Sequence, residues 1–133
     1  MTAQLIREQD EVISKDAEDF YSLFYNALDT RRRDVSAMYT ENACMVWNGH
    51  ALTGRQQIHD FLIDLPETQH TIRSCDAQAV IAEQYTNGQK TIMILTAGTV
   101  VVGQRTRCFT QTFLLTKEDG KMKIGSDRFR YID

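Results

Sequence analysis

Few residues in this chain of 133 are of types that do chemistry. Tyr25, Asp29, Trp47, His50 and Asp127 could position or move a proton in an apolar pocket, as general acid–base catalysis requires, but they fall in no recognisable catalytic set. His50, His59 and His70 show no metal-ligand spacing, since the first two are nine apart and His59 would sit on a helix. The chain has no GxSxG elbow, no phosphate-binding loop and no Gly-rich dinucleotide turn. No metal and no cofactor is expected, and Trp47 and Tyr25 read as core aromatics. Cys44, Cys75 and Cys108 are far apart with no CxxC spacing. An odd, scattered set of this kind reads as reduced, buried structural thiols of the cytosol or nucleus.

Charge narrows the partners. Fifteen Lys and Arg against 18 Asp and Glu give a net −3. A mildly acidic chain is not built to bind nucleic acid through its overall field. Arg31-Arg32-Arg33 is short for a nucleic-acid patch or a nuclear-localisation signal and is flanked by Asp29 and Asp34. It reads as the start of a helix with local ion pairs, and no direct nucleic-acid contact is expected. No apolar stretch is long enough to span a bilayer, so no membrane partner is expected, and residues 1–10 are too polar for a secretory signal. A hydrophobic fraction of 42% fits one globular domain over residues 1–133.

The elements that must position these residues follow from period. Residues 9–29 repeat Val12, Ile13, Ala17, Phe20, Tyr21, Phe24 and Leu28 at helical steps. A second helix is predicted over 31–39, with Val35, Met38 and Tyr39 inward. A third is predicted over 55–65, with Ile58, Phe61, Leu62 and Leu65 inward, and Pro66 closes it. Between the second and third lie a short strand at 43–47, an Asn48-Gly49 turn and a return at 51–52. Four long strands are predicted over 70–83, 90–102, 105–117 and 121–132. Asn87-Gly88, Gly103-Gln104 and Asp119-Gly120 would turn them. Three helices with a long antiparallel meander make an α+β fold, with the helices on one face of the sheet.

The other face poses the functional question. In TIMILTAGTVVVG, residues 91–103, Met93 and Leu95 alternate with Ile92 and Ile94, and there is no charge. In the next strand Phe109, Gln111, Phe113 and Leu115 suit the core, which leaves Cys108, Thr110, Thr112 and Leu114 on the opposite side. Phe129 and Tyr131 of the last strand would point inward, so Arg128 and Arg130 would share that Thr-rich side. A solvent-facing strand of this length normally carries Lys and Glu. A long neutral face with isolated charges reads as a protein–protein interface.

Several ordered segments carry a resemblance: FYNALDTRRRDVSAMY, VWNG, FLIDLP, DAQ at 76–78, RCFTQTFLL and SDRFRYID. Together they resemble the nuclear transport factor 2-like superfamily, and within it the nuclear transport factor 2-related export proteins. The resemblance implies a cone in which three helices pack inside a strongly bent antiparallel sheet whose outer face meets a second subunit. It further implies a non-enzymatic accessory subunit. Its expected partner is the nuclear transport factor 2-like domain of a large mRNA export receptor. The pair would bind nucleoporin Phe-Gly repeats mainly through that receptor, and would shuttle between nucleus and cytoplasm through the nuclear pore. Arg130 matches the arginine that reaches an acidic residue on the partner in that branch. A charge in a sheet–sheet interface costs desolvation unless paired, so it should favour a partner supplying a carboxylate over a second identical copy. Asp76 would meet a basic partner group or form an internal salt bridge. Gln78, Arg128, Thr110, Thr112, Leu114, Cys108, Met93 and Leu95 complete the expected interface.

Two other readings remain within the same superfamily. The Ran-GDP carrier type carries an acidic residue at the position of Asn48 and an acidic loop where this chain has Gly103, Gln104, Arg105 and Arg107. Both departures remove charge-assisted contacts to a basic partner, so Ran-GDP is not the expected cargo. A small-molecule-binding or isomerase-like enzyme of the cone type would use the proton-transfer candidates named above.

Overall fold

The computed structural model of the chain describes residues 2–80 and 90–132. The predicted Asn87-Gly88 turn and the end of the strand predicted over 70–83 lie outside the described residues. Helix α1 (Ala3–Thr30) starts six residues before the predicted position, because the Thr2 hydroxyl caps it by accepting from the Leu5 N–H. Ile13, Ala17, Phe24, Tyr25, Ala27 and Leu28 form its buried stripe, with Phe20 and Tyr21 packed beside it. Val12, predicted inward, is 58% exposed, because it lies one residue, about 100° around the helix, from the buried stripe that Ile13 begins.

The predicted second helix is a 3-10 helix, Arg32–Met38, with Val35 its buried residue. Tyr39, predicted at its end, instead opens the first strand. The strands are β1 (Tyr39–Trp47), β2 (His50–Thr53), β3 (Thr68–Val80), β4 (Thr91–Val102), β5 (Arg105–Glu118) and β6 (Lys121–Tyr131). Helix α2 (Arg55–Ile63) lies between β2 and β3 and ends before Pro66. The architecture is α+β, with three helical segments on one side of a curved, open six-stranded sheet.

The sheet order is β2-β1-β6-β5-β4-β3. The β3–β6 meander is antiparallel as predicted. One pairing departs from an all-antiparallel sheet: β1 runs parallel to β6, with Cys44, Val46 and Trp47 beside Ser126, Arg128 and Phe129. No local turn joins these strands, so turn chemistry carries no sign of their pairing.

Besides a register shift between Tyr39 and Cys44 where β1 meets β6, two irregularities shape the meander. The register shifts between Ile72 and Ser74, where Arg73 is the extra residue and Gly98 sits opposite Ile72. A Cβ on Gly98 would lie 2.0 Å from the Thr71 carbonyl oxygen, so only glycine admits this approach. The second shift falls between Leu114 and Leu115, opposite Gly125. It resets the alternation, so that both Ile124 and Asp127 point inward. The core is then closed by Phe24, Phe109, Phe113, Ile94, Ile124 and Leu62. Trp47 stacks flat on Phe129, with ring centroids 3.9 Å apart.

Candidate partner-binding face

Alternation places all ten predicted interface residues on the sheet face away from the helices. Cross-strand register sorts most of them into rungs. One rung runs Gln78, Met93, Leu114, Ser126. The next runs Asp76, Leu95, Thr112, Arg128, and a third runs Ser74, Ala97, Thr110, Arg130. Cys108 sits on a fourth, beside Thr99. The inward neighbours Ile92, Ile94, Thr96, Gln111, Phe113 and Asp127 are all buried, and Gln111 and Phe113 take the core side expected of them. On the open side Leu95 is 46% exposed and Leu114 36%.

Among the described residues the charges of Asp76, Arg128 and Arg130 on this face have no ion-pair partner. Among the described residues Asp76 makes no ion pair, so the internal salt bridge considered for it does not form; its carboxylate accepts from the Gln78 amide at 3.4 Å. Among the same residues no carboxylate pairs with Arg128 or Arg130. A row of neutral side chains bounded by Asp76 at one end and two arginines at the other is therefore available to a complementary surface.

The cysteines correct the sequence reading. Cys44 and Cys108 are exposed, and only Cys75 is partly covered. Cys44 lies beside Ser126 and so belongs to the open face; its burial was predicted from residue type, but strand parity turns it outward. Burial pushes the Cys75 thiol up, with Asp76 and Glu18 adding to it.

Asn48 has an internal role. It sits at φ 49 in the β1–β2 turn, and its side-chain oxygen accepts from the Tyr131 N–H at 2.8 Å. Beside it, the Arg107 guanidinium lies 4.0 Å from the centre of the Tyr131 ring. Asn48 is thus neutral and engaged within the chain, and Arg107 beside it is basic.

The proton-transfer candidates fall into two groups: Tyr25, Asp29 and Asp127 in the interior, and Trp47 and His50 beside Phe61. Tyr25 and Asp127 belong to one buried chain: Tyr25 Oη donates to Gln111 Oε1 at 2.6 Å, Gln111 Nε2 donates to Asp127 Oδ1 at 2.8 Å, and Tyr39 Oη donates to Asp127 Oδ2 at 2.6 Å. Thr96 Oγ1 lies 2.8 Å from Tyr25 Oη. Burial raises Asp127 to about 6, against the opposing pull of its Tyr39 and Gln111 hydrogen bonds. Burial also raises Tyr25 and Tyr39 well above the ordinary tyrosine range. Asp29 adjoins this chain through His70, whose ring centroid lies 5.0 Å from that of Tyr25: its carboxylate accepts from Thr68 Oγ1 and the His70 N–H at 2.8 Å each and lies 2.6 Å from His70 Nδ1. Burial works to raise Asp29, but the His70 and Thr68 hydrogen bonds outweigh it and hold the carboxyl below its usual range. His50 and Trp47 both pack on Phe61. A cavity of about 340 Å³ between α1 and the sheet, lined by Phe20, Leu23, Met38, Ile94 and Met122, touches none of the five candidates.

The arginine run differs from its reading too. Arg32 donates to the carbonyls of Leu28, Leu65 and Pro66 and to Thr68 Oγ1, which locks the end of α1 to the α2–β3 loop. Among the described residues Arg31 and Arg33 form no ion pair, so the predicted local pairs are replaced by one carbonyl-binding guanidinium. No helix is long and apolar enough to cross a membrane among the described residues.

A curved sheet filled on one side by helices and bare on the other is the nuclear transport factor 2-like cone. The chain belongs to the nuclear transport factor 2 family: the "Nuclear transport factor 2 (NTF2) domain" matches residues 17–131. It is 42% identical to the "NTF2-related export protein" of Caenorhabditis elegans, over 99% of this chain and 97% of that one. Its identity to the "Nuclear transport factor 2" of Davidiella tassiana is 28%, over 87% of this chain and 91% of that one. The fold also matches a chain in the crystal structure of the C. albicans Mtr2-Mex67 M domain complex, with a TM-score of 0.70 and 12% identity, over 90% of this chain and 95% of that one.

Proposed function

We propose that the chain is a non-enzymatic accessory subunit. Its open face pairs with the nuclear transport factor 2-like domain of a large mRNA export receptor, and the pair carries mRNA through the nuclear pore. The observation that carries this reading is the face itself: three rungs neutral in their middle positions, with Asp76, Arg128 and Arg130 at the ends of two of them and, among the described residues, in no ion pair. The name of the 42% identical relative supports export as the process. The two-chain complex of the structural neighbour supports a second subunit. In this reading Arg130 and Arg128 meet carboxylates of the receptor and Asp76 meets a basic group. Binding to nucleoporin Phe-Gly repeats falls mainly to the receptor, and the pair shuttles between nucleus and cytoplasm. In this reading Ran-GDP is not the cargo, because neutral Asn48 and basic Arg107 stand where a carrier of that type would present acidic groups.

Light scattering on a sizing column tests this directly. The chain alone, mixed with the receptor domain, and mixed with Ran-GDP are compared. A one-to-one complex with the receptor domain and none with Ran-GDP is the expected result. A tight complex with Ran-GDP alone would replace the export reading with the carrier one.

A further inference from the structure

Strand amides left without a neighbouring strand are answered by side chains at three places in this sheet. The His70 N–H on β3 donates to Asp29 Oδ2, and the Thr53 N–H on β2 donates to Gln57 Oε1. The Glu41 N–H, at the register shift of β1, donates to Glu118 Oε2. Such caps blunt an edge that would otherwise pair with another chain. One stretch lacks them. β3 is the outermost strand beside β4, and its residues 74–80 lie beyond the bulge at Arg73. Lysine and proline, the residues that commonly protect an edge, are absent from 74–80.

The direction of the edge amides follows from alternation. In an antiparallel pair, successive residues turn their backbone groups toward and away from the partner strand. The His70 N–H is spent on Asp29, so it points away from β4 and from its cross-strand neighbour Val100. On β4, Thr96, Ile94 and Ile92 share the parity of Val100, and they stand opposite Cys75, Ala77 and Ala79. The backbone groups of these three residues therefore face outward, ~7 Å apart along the edge. Among the described residues no hydrogen bond from another element answers them. We propose that residues 74–80 are a strand-addition site for an extended, basic segment of another protein. This edge is lateral to the open face, and its use does not depend on the receptor being the partner of that face.

An added strand gains affinity from main-chain hydrogen bonds and specificity from its side chains, which point alternately to the two sides of the sheet. Asp76 is exposed on the open side, and Glu18 of α1 is exposed on the helix side. Burial first, and then Asp76 and Glu18, push the Cys75 thiol up, which puts both carboxylates within electrostatic reach of the edge. Among the described residues neither carboxylate is in an ion pair. Lysine or arginine at neighbouring positions of the added strand would meet one carboxylate on each side.

The probe is a short blocked peptide rich in valine and carrying paired lysines, beside a second peptide with glutamate in place of lysine. Hydrogen exchange is read amide by amide on the full chain by NMR. The lysine peptide should slow exchange at Cys75, Ala77 and Ala79 about tenfold or more, and the glutamate peptide should leave it unchanged. Ala77→Pro removes an outward N–H and no bond to β4, so the variant should keep its circular dichroism and lose the protection. Glu18→Lys leaves the strand untouched and should weaken binding of the lysine peptide about tenfold. Equal protection by both peptides, or protection by neither, overturns the proposal. So does lysine-peptide binding that survives Glu18→Lys unchanged, or that maps to the open face around Leu95 and Thr112. Pairing with the receptor domain on the sizing column stands or falls separately from each of these outcomes.

Discussion

Asp127 stores a pH dependence in the core. Its pKa is raised from 3.8 to about 6 by complete burial, so the neutral form is favoured in the folded chain. The stability it contributes is fully present below about 3.8 and is lost as pH rises through about 6. At ~1.4 kcal/mol per unit, the loss amounts to about 3 kcal/mol. Asp29 has the opposite sign: its pKa is lowered, so its contribution is present above the ordinary carboxylate range and lost as pH falls. Asp127→Asn should therefore remove the fall in stability between pH 4 and 6, as read by urea unfolding at stepped pH, and leave the acid-side loss due to Asp29. Residue type singled out Tyr25 and Asp127 as proton-transfer candidates. Their actual use, satisfying each other through Gln111, joins residues from α1, β5 and β6. Such distant pairings leave no spacing in the sequence to read.

At the scale of elements, Gly98 and Gly125 make a contrast. Both lie at register shifts, but a Cβ on Gly98 would strike backbone at 2.0 Å, whereas one on Gly125 would meet the Thr116 methyl at 3.4 Å. Backbone cannot swing aside and a methyl can shift. Gly98→Ala should cost about 1–3 kcal/mol or more, while Gly125→Ala should cost well under 1 kcal/mol, both measured by thermal unfolding. Alternation in β4 and β5 was legible because a period of two needs no distant information. The turns at Asn48-Gly49 and Asp119-Gly120 were legible because Asn48 and Asp119 adopt positive φ there. The early start of α1 rests on a single cap at Thr2, which is a weaker signal than an apolar stripe. The 3-10 segment was read as α-helix because Val35 and Met38 are three apart, a spacing both helices share.

For the whole molecule, the decisive surface is the one the helices leave bare. Arg130→Asp should abolish pairing with the receptor domain while the chain keeps its unfolding midpoint, since Arg130 is exposed and its neighbours Phe129 and Tyr131 carry the packing. Isothermal titration with the receptor domain, beside a thermal melt of the variant alone, separates the two effects. Unchanged affinity would sink the assignment of Arg130 to the interface. The neutral face was legible because charge is missing where strands of this length normally show it. The occupant of the face was not, since a surface pattern states what would fit rather than what is present in the cell.

The parallel pairing of β1 with β6 has a consequence for synthesis. The strand that sits between β1 and β5 is the last of the six to leave the ribosome. Until it inserts, β1 with its β2 hairpin has no place beside the β3–β5 meander, and the strand carrying Arg128 and Arg130 is missing from the face. Closure between distant segments is slow compared with local turns. A nascent chain stalled before β6 would expose both the helix-facing core and a partner face three strands wide, a surface that chaperones rather than partners recognise. In the proposed reading, assembly with a second subunit becomes a report that translation of this chain has passed β6.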